Sequence, residues 1–228
     1  MKQIVPYTTG IAVAHADLSA LIGTHLSDDL LKRALRAVFQ AKKVAYDHCA
    51  AEFLSPSDAE NVRPFYARGK IQELMREIVT PVPGVEAQTV KSDGSFWNHT
   101  EIVSGPVIMT AHSVQTPCGL VEGTDYQLSL ASDQDALFGD DEPSENARLY
   151  ALLLHSPFRG RHDAEQREFA YLPGSVYVAF PAPGIKYYVH HINLFTRFPD
   201  VIERLMPNQW DESARVHYKW AATQRASA

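Results

Sequence analysis

Residues 148–156 read RLYALLLHS, and whether this run is a strand or a helix decides the fold. It is a short apolar run preceded by Pro143, Ser144 and Asn146, so it reads as a strand. Its neighbours have the same character: FWNHTEIV (96–103), PVIMTAHSV (106–114), YQLSLA (126–131), SVYVAF (175–180) and IKYYVHHINLF (185–195), most bounded by Gly, Pro, Asn or Asp. Upstream the period changes. In SDDLLKRALRAVFQAKKVAYDHCAAEFL (27–54), Leu31, Leu35, Val38, Ala45 and Cys49 recur near helical spacing. Ser27 stands as N-cap, and Asp28 and Asp29 favour the positive end of the helix dipole. Pro56 marks the end of this helix, and a second is expected from roughly Ala67 to Val79, where TPVPG (80–84) breaks it. FPDVIERLM (198–206) and WDESARVHYKWAATQ (210–224) read as closing helices. Helices first and strands later predict an α+β fold: N-terminal helices, a largely antiparallel β-sheet and closing C-terminal helices.

With 228 residues, 45% of them hydrophobic, the chain can fill a core and is expected to form a single domain over 1–228. No apolar run of about 18 residues appears, and MKQIVPYTTG lacks the layout of a signal peptide. The expectation is a cytoplasmic protein with no membrane partner. Cys49 and Cys118 make neither a disulfide framework nor a metal knuckle, and both are read as incidental thiols.

The charge is local. Lys plus Arg is 21 and Asp plus Glu is 27. Six of the acids (Asp133, Asp135, Asp140, Asp141, Glu142, Glu145) lie in SDQDALFGDDEPSE (132–145), so the remainder carries 27 − 6 = 21 acids against 21 bases. A neutral remainder without a dense Lys/Arg stripe argues against direct nucleic-acid binding. The acidic stretch, with its Gly, Pro and Ser, has the composition of an inserted loop over about 132–146.

Two constellations carry chemistry. The first is histidine: His112, His155 and the His190–His191 pair lie in strand patterns, and imidazoles from adjacent strands are suited to Zn²⁺ or Fe²⁺ or to general-base work. Counting alternate residues places His155 with Leu149, Ala151 and Leu153, and His190 with Tyr188, Ile192 and Leu194, which are core surroundings. No HExxH, HxH, GxSxG, GxxxxGK[ST] or GxGxxG accompanies them. Structural histidines and no cofactor are therefore expected, with a metal-dependent hydrolase or nuclease as the alternative. HSPFRGRHD (155–163) is read as a polar loop between strands.

The second is Gln134, Asp135, Ala136, Leu137 and Phe138. Six carboxylates around two large apolar side chains oppose burial in the chain's own core, and two readings stay open: Ser132 caps a short helix that folds Leu137 and Phe138 back onto the sheet, or the pair belongs in a partner's core. A Gln amide donates and accepts at once, and an adjacent Leu–aromatic pair can anchor in an apolar pocket of a partner. The spacing Q-x-x-L-F resembles the peptide by which bacterial polymerases and repair proteins dock in the groove of the DNA polymerase sliding clamp. QLSLA (127–131) resembles the same peptide without the terminal aromatic. With this motif, and with ARLYALLLH and HHINLF, the chain resembles the SocB-like family of bacterial toxins, which bind the sliding clamp and block replication elongation. The resemblance implies a non-enzymatic toxin of a toxin–antitoxin system, the clamp's β subunit as partner, and a cognate antitoxin or protease adaptor as a second.

Overall fold

The computed structural model describes residues 18–91, 98–132, 148–160 and 162–206. Helical residues 18–25 form α1, followed by α2 (Asp28–Glu52) and α3 (Pro56–Val79). Ser27 Oγ accepts from Leu30 N at 3.3 Å, the expected cap. Leu30, Leu31, Leu35, Val38 and Cys49 are buried along one face of α2, as their spacing predicts.

Helix α3 starts eleven residues before the expected Ala67. Ser55 caps it, and Pro56 fits the first turn, where no N–H is needed. Pro64 lies inside the helix, and ahead of Ile71 only Ala59 is buried. The first half of α3 therefore has no apolar period to read, and its proline argues the wrong way.

Strands β1 (Val85–Lys91), β2 (Asn98–Ser104), β3 (Val107–Ser113), β4 (Leu149–Pro157), β5 (Pro173–Pro181) and β6 (Tyr188–Asn193) form one sheet in sequence order. Every neighbouring pair is antiparallel except β3 and β4, which run parallel. The α+β expectation is thus met: helices, then a mostly antiparallel sheet, then C-terminal helices. β1 was not anticipated. It is an edge strand with no fully buried residue, and VEAQTVK carries little apolar signal.

A parallel pair needs a crossover, and α4 (Asp125–Ser132) lies on it. YQLSLA is therefore a helix and not the expected strand. Its Gln127 and Ala131, four residues apart, are the buried positions, a helical spacing that the period-two alternation of Tyr126, Leu128 and Leu130 conceals.

Both faces of the sheet are covered, which explains the continuous apolar runs of β4 and β5, nearly all buried. The near face presents Met109, Leu149, Ala151, Leu153, Val176, Val178, Phe180 and Ile192 to α1, α2 and α3. The far face packs Tyr150, Leu152, Leu154, Tyr177 and Ala179 against Val114, Ala131 and Ile185. A short helix α5 (Asp163–Glu168) connects β4 to β5. After β6, α6 (Leu194–Arg197) and α7 (Pro199–Leu205) return to the near face, where Phe195 meets Phe39 with ring centroids 5.8 Å apart and Arg197 pairs with Asp28 at 2.8 Å. Residues 210–224, expected as a closing helix, lie outside the described residues.

The turn between β2 and β3 requires a particular residue. Gly105 has φ of 54°, and a Cβ there would collide with the His25 imidazole. Ser104 Oγ donates to His25 O at 2.7 Å, so the end of α1 is held against this turn. Among the described residues, no helix is long and apolar enough to cross a membrane.

Candidate functional site

Register assembles a polar cluster on the far face. Gln88, Glu101 and Thr110 face one another across β1, β2 and β3. Same-face neighbours on adjacent strands lie within side-chain reach. Glu101 is only 4% exposed, and Gln88 Nε2 donates to its Oε2 at 2.5 Å. His99 Nε2 stands 3.7 Å from Glu101 Oε1, with the Tyr126 ring 4.4 Å from the imidazole. Burial lowers the His99 pKa, opposed by the Glu101 charge; the contact is therefore chiefly that of a neutral imidazole beside a carboxylate at neutral pH.

Two residues along β3 the cluster continues. Thr110 Oγ1 lies 2.9 Å from His112 Nε2 and 2.8 Å from Tyr150 OH. Gln127 Nε2, from α4, lies 3.0 Å from His112 Nδ1 and 2.9 Å from Nε2, while its Oε1 accepts from Thr124 N at 2.9 Å. An amide N–H₂ only donates, so His112 must offer it an unprotonated nitrogen. In the tautomer with Nε2 protonated, Gln127 donates to Nδ1, Nε2–H donates to Thr110 Oγ1, and the Thr110 hydroxyl is left to bond Tyr150 OH. Burial, with the Arg68 charge and His99 adding, pushes the His112 pKa down to about 4, as this neutral role requires. Burial also raises the Tyr150 pKa, partly offset by its bonds to Thr110 and Gln127, so the phenol stays protonated.

The other histidines lie elsewhere. His155 is on the near face with Leu153, 6% exposed, its Nδ1 without a hydrogen-bond partner among the described residues. Burial first, then the Lys42 charge, holds its pKa well below the ordinary value. Lys42 itself is lowered to about 8 by burial. His190 pairs across β5 with Phe180, ring centroids 6.0 Å apart, on the near face, and exposed His191 meets Tyr177 on the far face. A register shift at Phe180/Pro181 moves Tyr188 to the far-face core, so it does not share the face of His190 as plain alternation suggests. His112, His155, His190 and His191 are therefore not brought together. Among the described residues, no group of three His, Cys, Asp or Glu side chains is placed to hold a metal.

HSPFRGRHD is not a loop throughout: His155, Ser156 and Pro157 end β4, with His155 and Ser156 buried, and Asp163 opens α5, while in the connection between them Arg159 donates to Gln115 O at 3.0 Å and Gln166 bonds Phe158 O and Gly160 N. Cys49 and Cys118 are free thiols, and burial pushes the Cys118 thiol up to about 11.

Gln134, Asp135, Ala136, Leu137 and Phe138 lie outside the described residues, as does almost all of the acidic loop. The chain leaves α4 at Ser132 and re-enters β4 through Arg148, both exposed. The weaker peptide, QLSLA, has its Gln127 amide engaged with Thr124 and His112, and Ala131 fully buried, so it is not presented for docking.

Sequence reading missed the roles of Glu101, Thr110, Tyr150 and Gln127. The available signal was polar residues at alternate positions of strand patterns, in TEI and MTAH, but only the fold brings Gln127 over them. No protein-family model, curated protein or solved structure matches this chain.

Proposed function

We propose that the chain is a cytoplasmic, non-enzymatic toxin that halts DNA replication by occupying the peptide-binding groove of the sliding clamp with residues 134–138. The observation that carries this reading is the Leu137–Phe138 pair, three residues after Gln134, amid six carboxylates. The exposed positions of Ser132 and Arg148 support it, since a segment leaving and re-entering at the surface can reach an external groove without opening the core. Gln134 bonds the groove's backbone, Leu137 and Phe138 fill its apolar pocket, and clients that use the same groove are displaced. A cognate antitoxin or protease adaptor is the second partner that the family resemblance implies. Metal-dependent hydrolysis at His112, His155, His190 and His191 has less support, because those imidazoles are divided between two faces.

The test is calorimetry of the purified chain against purified bacterial sliding clamp. Leu137→Ala and Phe138→Ala are each expected to weaken binding more than about tenfold, the usual cost of truncating an anchor. Circular dichroism should stay unchanged. Unaltered affinity in the double variant, or no binding by the parent chain, overturns the proposal.

A further inference from the structure

Helix α3 turns Ile71, Leu74, Met75 and Val79 towards the core, and the line of the helix opposite them passes through Gly69. Val62, Phe65 and Tyr66 stand beside that line at helical spacing, and all three are exposed, Phe65 by 64%. Gly69 itself has no reason within the fold. Among the described residues nothing lies within 4 Å of where its Cβ would stand, and a glycine in a helix interior is destabilising relative to alanine. What a glycine offers on an exposed helix face is close approach by another group. The charges on this face are ordered as well. Asp58 lies near the N-terminal end and Arg76 near the C-terminal end, about 27 Å apart along the axis. Arg76 Nη1 donates to Thr100 Oγ1 at 2.8 Å, which fixes the guanidinium while engaging one of its five N–H groups. The midpoint of Asp58 and Arg76 is position 67, and so is the midpoint of Phe65 and Gly69.

We propose that α3 pairs with α3 of a second copy of this chain, antiparallel, about a twofold axis at the level of Ala67. A twofold contact is reciprocal: what one copy places against the other, it receives in turn. Phe65 of each copy then seats over Gly69 of the other, and Asp58 of each meets Arg76 of the other. A parallel pair would set Asp58 against Asp58 and Arg76 against Arg76, so the order of charges selects the antiparallel arrangement. Helices that cross at about 20° stay side by side over such a length, which lets both charged pairs and both Phe65–Gly69 contacts form in one interface. The surface is separate from residues 134–138 and does not depend on the clamp proposal.

The experiment is sedimentation equilibrium of the full chain, which should show twice the chain mass of 25.4 kDa. Gly69→Leu should weaken the dimer by about tenfold or more, because it fills the space that Phe65 takes. The same change replaces a glycine inside a helix, so the diluted, monomeric variant should melt higher than diluted wild type; a lost dimer is thereby separated from a lost fold. Asp58→Arg and Arg76→Asp each bring like charges together at both ends, and each should dimerise at least about tenfold more weakly than wild type. Mixed in equal amounts, these two proteins restore opposite charges at both ends and should form a heterodimer tighter than either homodimer. The Leu137→Ala/Phe138→Ala variant should dimerise as wild type does. A monomer at about 100 μM, the result if another part of the chain covers this face, overturns the proposal. So does a dimer untouched by Gly69→Leu, or a mixture of the two charge variants that associates no better than either alone.

Discussion

Replacing His112 with Gln should flatten the acid side of the protein's stability curve. In the folded chain this imidazole is neutral, because it accepts from Gln127 and sits where burial holds its pKa near 4, against an ordinary 6.5. A depressed histidine takes up protons more readily unfolded than folded. Its contribution is fully present above pH 6.5 and is lost as pH falls from 6.5 towards 4. At about 1.36 kcal/mol for each tenfold in proton affinity, the full loss is about 3 kcal/mol, with most of it spent by pH 4.5. That is a large part of the 5–15 kcal/mol, roughly, by which a domain is stable. Urea unfolding at pH 7.0, 6.0, 5.0 and 4.5 measures it. Wild type should lose about 2–3 kcal/mol more than His112→Gln over this range. His99 and His155, also depressed, contribute to both proteins and cancel except for the smaller part that His112 itself exchanges with them. Parallel pH curves for the two proteins would refute the desolvated, accepting role of His112.

Thr110→Val removes a hydroxyl that bonds both His112 and Tyr150, and should cost about 1–3 kcal/mol in urea unfolding. Adding Tyr150→Phe should cost less than the two single changes together, since both remove the same Thr110–Tyr150 hydrogen bond. Gly105→Ala should destabilise by about 1–2 kcal/mol or more through its positive φ, with the collision at His25 adding to it, read as a lower melting temperature. Elemental analysis of the purified chain should find no stoichiometric zinc or iron; about one metal per chain, lost in His112→Asn or His155→Asn, would favour the hydrolase alternative.

The near-face architecture was legible because α2 repeats Leu31, Leu35 and Val38 at helical spacing behind a Ser27 cap. β4 was legible because a strand buried on both faces has few polar interruptions. The first half of α3 and all of β1 were not, for a shared reason: each is exposed, and exposed backbone leaves no hydrophobic period. YQLSLA misled because a short helix and a strand can carry the same apolar residues, and only the parallel pairing of β3 and β4 demands a crossover there. Tyr188 misled because a register shift changes the facing of a side chain without altering composition. His112 was singled out correctly as a position to explain, but of its two hydrogen-bond partners only Thr110 lies on its own strand; Gln127 comes from α4, which spacing along one strand does not connect.

Two inversions of the ordinary pattern stand in this chain. On the far face, polar Glu101, Thr110, His112 and Gln127 lie where apolar side chains would be cheapest, and each finds hydrogen-bond partners within the chain. Buried polar groups so satisfied fix one packing of α4 over the sheet, a role in specifying the fold that needs no external ligand. In the acidic stretch the inversion runs the other way: Leu137 and Phe138 lie where charged side chains surround them in sequence. Six carboxylates oppose drawing that segment into an apolar core, since each would need a partner there and no Lys or Arg lies among them to supply one. The first inversion is resolved inside the molecule. For the second, the pocket that the clamp proposal supplies lies on another protein, and that is why the functional reading falls on five residues of a connection and not on the histidines of the sheet.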